Sequence, residues 1–286
     1  MIANLTQIVN ALLPLLRQFC GDSPSNQYGI ALGGAHAKRA ADAESDLDLY
    51  VFADQVLPGA ERKRLCAQFD GIESLTGWGE DAPFVQAGTD FYFEGIKVEC
   101  WLRNTGYIGS IIAECQAGIV RHSLVTWTVM GFYNYCALSD LNNMVPVDDP
   151  GGILARWKAQ VGRYPPKLRE TILTTTLGAA QFWPHNFHYR TAVERCDALY
   201  VAGIVQQVVH NLIQVVFALN RVYFPGDKKL AGALDHLSIK PDCFTTRIQN
   251  LIRPGAPGTR ALFERQRQDL IALVQEMDTL VQAHSG

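Results

Sequence analysis

Two aspartates separated by one residue carry the first chemical signal: Asp46-Leu47-Asp48 opens a run to Ala53 that alternates and then turns fully apolar. On a strand, positions i and i+2 project from one face. Asp46 and Asp48 therefore point one way, while Leu47 and Leu49 enter a core. Adjacent anions repel, and the usual compensation is a shared hard cation such as Mg²⁺, which prefers carboxylate and phosphate oxygens. A third carboxylate, Glu99, stands between Val98 and Cys100 in an otherwise apolar stretch. Upstream, Gly33-Gly34 closes the short apolar run from Tyr28 to Leu32. Glycines at a strand end let backbone N–H groups approach phosphate oxygens without a Cβ in the way. A glycine pair, paired aspartates and a glutamate on a neighbouring strand together point to phosphoryl or nucleotidyl transfer.

The elements that must position these groups follow from periodicity. Apolar residues recur at helical spacing over residues 3–20, which predicts an opening amphipathic helix stopped by Gly21-Asp22-Ser23-Pro24. Residues 28–32 and 47–53 read as two strands joined by a polar connection. A helix is expected from Pro58 to Phe69. Thr89 to Phe93 and Ile96 to Leu102 flank Glu94-Gly95, a two-residue turn that favours an antiparallel hairpin. Beyond Gly106 the pattern becomes helical, with one more short strand at Met144 to Val147. Residues 151–286 predict about five helices, the longest from Ala192 to Phe224, with Pro254 to Gly258 as an interhelical loop. The expected architecture is α+β: a mixed sheet flanked by helices over residues 1–149, then an all-α helical bundle over residues 150–286.

Strand, Gly33-Gly34-Ala35, a ten-residue connection, Asp46-Leu47-Asp48 and then Glu99 in an apolar strand resemble the nucleotidyltransferase superfamily of DNA polymerase β. With its helical second half, the chain looks most similar to the small adenylyltransferases that inactivate aminoglycosides and lincosamides. The motif spans about residues 28–102; over the helical half the likeness is one of architecture and a few charged residues. The resemblance implies transfer of AMP from ATP to a hydroxyl of a small-molecule acceptor, with pyrophosphate leaving and two Mg²⁺ ions assisting. Asp46 and Asp48 would match the metal-binding pair. Glu99 would match the third carboxylate, which takes the acceptor's proton and can touch a metal. The Gly33-Gly34-Ala35 backbone would hold phosphates, with charge from Lys38 or Arg39. On the helical half, Arg221 with Lys228 or Lys229 would close over the nucleotide, and Glu194 and Asp197 would suit a cationic acceptor. One position departs from the pattern: Ala35 stands where the family has serine, which removes a side-chain hydrogen bond worth about 0.5–3 kcal/mol. Acceptors of other kinds, a protein or an RNA, fit the same motif, as does a nucleotide-binding regulator that has lost turnover. Monomer and homodimer are both open, since such enzymes sometimes pair so that two chains complete one site.

Each feature also has a plain structural explanation. Cations after a helix complement its dipole and need no ligand. Glu194, Arg195 and Asp197 form an intrahelical charge set. His185 and His188, an HxxH pair with no third ligand candidate nearby, suit a surface loop.

Composition narrows the class. The 286 residues hold 25 Lys and Arg against 28 Asp and Glu, a net charge of −3 that offers no basic coat for general nucleic-acid binding. With 48% hydrophobic and 19% charged residues the chain has ample apolar material for a core. The most apolar stretch, Val201 to Phe217, carries Gln206, Gln207, His210, Asn211 and Gln214, so no membrane span is expected, and Ala11 to Leu16, short and without a basic residue before it, is not expected to be a signal core. The seven cysteines include no CxxC pair, which suggests reduced core thiols in a cytoplasmic protein.

Overall fold

The computed structural model describes residues 2–21, 27–80, 85–253 and 258–284. The helix stop at Asp22 to Pro24 and most of the Pro254 to Gly258 loop lie outside these residues. The chain divides into two compact units: residues 1–114, 121–125 and 132–163 form the first, and residues 115–120, 126–131 and 164–286 the second. The division thus follows residue 163, and two short earlier segments belong to the second unit, where the sequence pattern suggested one boundary near residue 150.

In chain order the first unit comprises α1 (Ile2–Phe19), β1 (Tyr28–Leu32), α2 (Gly34–Ala37), β2 (Leu47–Ala53), α3 (Gly59–Ala67), β3 (Ile72–Glu80), β4 (Ala87–Phe93), β5 (Ile96–Asn104) and most of α4 (Thr105–Gln116). The short pair β6 (His122–Ser123) and β7 (Phe132–Tyr133), α5 (Asn134–Asn143), β8 (Val145–Asp148) and α6 (Ile153–Val161) complete it. Six strands form one mixed sheet in the order β3-β4-β5-β2-β1-β8. Within it β2 and β5 run parallel and the other neighbours antiparallel. The expected hairpin is present, with Glu94 at φ 49° and Gly95 at φ 77°, the two positive values that the tightest two-residue turns require.

Alternation along the strands sorts the two faces. Leu47, Leu49, Val51, Phe91, Val98, Cys100 and Leu102 bury one face together with Leu12, Leu16 and Phe19 of α1 and Cys66 of α3. On the other face α6 lies against β1 and β2: Trp157 meets Phe52 edge-on at 5.3 Å, and Leu154 packs onto the Cα of Gly29. β3 has no counterpart in the sequence expectations. Its pairing with β4 shifts register twice and Ser74 adopts φ 52°, so the two-residue period that marks a strand is broken.

The second unit holds α7 (Pro166–Phe182), α8 (Phe187–Arg195), α9 (Ala198–Leu219), α10 (Leu230–Asp235), α11 (Phe244–Ile252) and α12 (Arg260–Ala283). The single long helix expected from Ala192 to Phe224 is broken. Cys196 takes a left-handed conformation at φ 54° and ends α8, and the Asp197 carboxylate then accepts from the Tyr200 N–H at 3.2 Å to cap α9. The chain leaves α9 at Leu219, before Pro225. Asn220 fastens that end: its amide donates to the carbonyls of Val216 and Ile239, and its oxygen accepts from the N–H groups of Ser238 and Ile239. By length and composition α9 could cross a membrane; here its apolar residues are largely buried and it packs against α7, α8, α11 and α12.

Five cysteines (Cys20, Cys66, Cys100, Cys115, Cys136) are buried free thiols, as expected, whereas Cys196 and Cys243 are exposed. Burial pushes the Cys20 thiol up to about 12 and the Cys66 thiol up to about 11. A raised folded-state value favours the protonated fold, so this contribution is complete below the ordinary thiol range near 9 and is lost as pH rises through 11 to 12. Iodoacetamide at pH 8 is expected to label Cys196 and Cys243 in the native protein and all seven cysteines only after denaturation. Intact-mass measurement reads the result, and rapid native labelling of a third cysteine would contradict the burial.

Candidate active site

Parallel pairing of β2 with β5 sets Asp48 directly opposite Glu99. The hairpin register adds a residue that the sequence reading missed, because Asp90 on β4 pairs with Glu99 from the other side. Three carboxylates therefore lie in one row across β2, β5 and β4 on the same face, and Asp46 continues that face just before β2 begins. The signal for Asp90 was available. With the turn at Glu94-Gly95, counting four residues back and four forward brings 90 opposite 99, and Asp90, like Glu99, interrupts an apolar strand.

Lys97, two residues before Glu99 and so on its face, stands among these acids. Its ammonium bonds Glu99 Oε1 and lies 3.7 Å from Asp46 Oδ2. Glu99 first, and Asp46 and Asp90 more weakly, hold this lysine above its ordinary range. The donor set fits a hard cation: carboxylate oxygens are what such an ion takes, and Asp46 and Glu99 already converge on one positive nitrogen. The side chains are nevertheless arranged for the ammonium. Among the described residues no three His, Cys, Asp or Glu side chains are gathered to hold a metal, since Asp46 and Glu99 turn to Lys97 while Asp48 folds against Gly34.

That last contact gives the glycine pair a packing role. A Cβ on Gly34 would lie 1.6 Å from Asp48 Oδ2, and the residue adopts φ +55°; a Cβ on Gly33 would enter the Tyr50 ring. Nor are their N–H groups bare. Gly33 donates to the Asp48 carbonyl at 2.9 Å and Gly34 to the Tyr50 hydroxyl at 3.1 Å. The glycines serve close packing of Asp48 and Tyr50; Ala35 and His36 follow in the first turn of α2, where N–H groups have no intrahelical partner.

Tyr50 connects this turn to a buried ion pair, also missed from sequence. Burial holds its hydroxyl far above the ordinary phenol range. The Arg103 guanidinium stacks on its ring at 4.8 Å, with the Trp101 and Phe52 rings at 5.8 and 6.0 Å. Arg103 is 1% exposed and donates to Asp140 Oδ2 at 2.8 Å, while its Nε and Nη1 are buried without a hydrogen-bond acceptor. Lys38, at the end of α2, lies 4.0 Å from the same aspartate. Arg39 follows at φ 55° and is exposed.

Within the helical unit, Arg221 lies just past α9 at φ 53°, and Lys229 takes φ 56° to begin α10. The helix ends at Leu219 rather than near Phe224, so Arg221 stands just past its C-cap Asn220 and Lys228 and Lys229 follow in the connection to α10. Glu194 is exposed near the end of α8, and Asp197 is occupied as the cap of α9. His185 and His188 are exposed at the surface. A cavity of about 350 Å³ between α11 and α12 is lined by Arg247, Arg253, Arg265, Gln266 and Asp269 and includes none of the expected site residues.

Comparison with known proteins gives three findings. A family described as a domain of unknown function (DUF4037) matches residues 135–230, a segment that contains Glu194, Asp197, Arg221, Lys228 and Lys229 but not Asp46, Asp48, Asp90 or Glu99. No curated protein matches the chain. Among solved structures it is similar to a nucleotidyltransferase-like protein from Exiguobacterium sibiricum, at 10% identity over 93% of this chain and 74% of that one, with a TM-score of 0.48.

Proposed function

We propose that this chain is a nucleotidyltransferase that moves a nucleoside monophosphate, AMP from ATP, to a hydroxyl of a small hydroxylated acceptor of the antibiotic kind and releases pyrophosphate. The single observation that supports this most is the register that sets Asp48 beside Glu99, with Asp46 on the same face and the Gly33-Gly34 turn packed on Asp48. In this reading Asp46, Asp48 and Glu99 would hold two Mg²⁺ ions, which when bound neutralise charge on the attacking and leaving oxygens. Glu99 accepts the proton of the acceptor hydroxyl. Asp48, wedged on Gly34, keeps its carboxylate next to the turn where Ala35 and His36 present N–H groups. Lys38 and Arg39 supply positive charge beside that turn; Arg221, Lys228 and Lys229 are the cations that the helical unit offers a nucleotide. The reading places the enzyme in the cytoplasm, as monomer or homodimer, with Glu194 near a cationic acceptor.

A second reading is favoured by three details: Ala35 in place of serine, glycine N–H groups already bonded, and Lys97 among the carboxylates. These suit a nucleotide-binding regulator with little turnover. One experiment separates the readings. The protein is incubated with labelled ATP, Mg²⁺ and a panel of aminoglycosides, lincosamides, protein and RNA, and pyrophosphate and label are followed in each fraction. Label in the small-molecule fraction supports the first reading, and label in protein or RNA replaces the acceptor class. A raised melting temperature with ATP and Mg²⁺ but no pyrophosphate from any acceptor establishes the regulator instead.

A further inference from the structure

We infer that Lys97 is a tethered cation that fills the carboxylate row when no divalent ion is present, and that a divalent ion binds only by displacing its ammonium. The inference rests on the metal-dependent reading of this site. Four carboxylates, Asp46, Asp48, Asp90 and Glu99, share one face across β2, β5 and β4, and without a counter-cation their repulsion opposes the packing of that face. Lys97 supplies one from within the chain, bonded to Glu99 and close to Asp46. Two of the three acids that would ligate an ion are thereby occupied.

The arrangement is reversible by construction. The Lys97 side chain is 44% exposed, and lysine carries its charge on a flexible four-carbon stem that can swing into solvent. A partly exposed ion pair of this kind is readily broken, whereas a divalent ion brings twice the charge and takes several carboxylate oxygens at once. Lys97 therefore sets a threshold: it keeps the apo face ordered and discourages ions that arrive alone, while an ion already carried by a triphosphate brings its own extra ligands and overcomes it.

The test uses Mn²⁺ as probe and the full chain without nucleotide, with free ion read by electron paramagnetic resonance. Lys97→Met is expected to bind Mn²⁺ about two- to fivefold more tightly than the parent, a factor of the size expected for a partly exposed competing ion pair. Lys97→Arg, which keeps a cation, is expected to bind like the parent. Without metal, Lys97→Met should melt below the parent and regain the difference when Mn²⁺ is added, a response that a merely structural lysine would not give. Equal affinity in the parent and Lys97→Met overturns the inference. If neither binds Mn²⁺ at millimolar concentration, both the inference and the metal-dependent reading fall. Tighter binding in Lys97→Met, with no pyrophosphate from any acceptor, leaves the inference standing and removes the transfer reading alone.

Discussion

Replacing Glu99 with glutamine is expected to lower pyrophosphate release from ATP, with a working acceptor present, by about 10²–10⁴-fold, the usual contribution of a positioned proton acceptor. The substitution keeps the shape of the side chain and removes its charge. Its effect on the fold is expected to be small, because the partner that Glu99 loses is Lys97, 44% exposed, and such pairs contribute about 1 kcal/mol or less. Activity and stability are thus predicted to part company: turnover collapses while the melting temperature holds. Pyrophosphate release by coupled assay and a thermal scan on the same preparation check both halves. A Glu99→Gln protein with parental turnover would remove Glu99 from the chemistry.

The largest effect on stability is expected at Asp140. Arg103 is 1% exposed, and Asp140 is the only acceptor recorded for its guanidinium among the described residues. Truncation by Asp140→Ala leaves a buried positive charge among three aromatic rings. Breaking a buried pair from one side costs about 3–5 kcal/mol. The lower end, about 3 kcal/mol, applies here, because the Asp140 side chain keeps 14% of its exposure. For a unit of this size that corresponds to a fall of roughly 6–12 °C in melting temperature, measurable by guanidinium chloride titration and calorimetry. Replacing both partners, with Arg103→Met and Asp140→Leu, should recover most of the loss, since apolar groups of similar volume carry no desolvation penalty. Parental stability in Asp140→Ala would mean that the guanidinium finds another acceptor or solvent.

How far the site was legible depended on whether its determinants were local. Alternation from Leu47 to Ala53 and from Ile96 onward reports itself in sequence, as does the Glu94-Gly95 turn, and these placed Asp48 and Glu99 on strands. The turn also contained the position of Asp90. The parallel pairing of β2 with β5 leaves no local trace, so the alignment of Asp48 with Glu99 is a property of the tertiary fold alone. The same holds for Arg103 and Asp140, whose partnership spans 37 residues. The glycine pair is legible by position, but its packing against Tyr50 and Asp48 is not, because those neighbours are tertiary contacts rather than motif members. The break at Cys196 escaped notice because a cysteine in a left-handed conformation has none of the punctuation that glycine or proline provides.

The parallel junction between β2 and β5 also dictates when the site can come into being. Its two facing acids are roughly fifty residues apart in the chain, so bringing them together costs roughly 3.5 kcal/mol of loop-closure entropy before any contact returns it. During translation β1 and β2 can pair as soon as they emerge, but Asp48 waits for the hairpin that carries Asp90 and Glu99 to be made and docked. A ribosome stalled before Asn104 therefore holds the β1–β2 pair with both edges open, since β8 also follows later in the chain, and chaperone dependence should be concentrated in that interval.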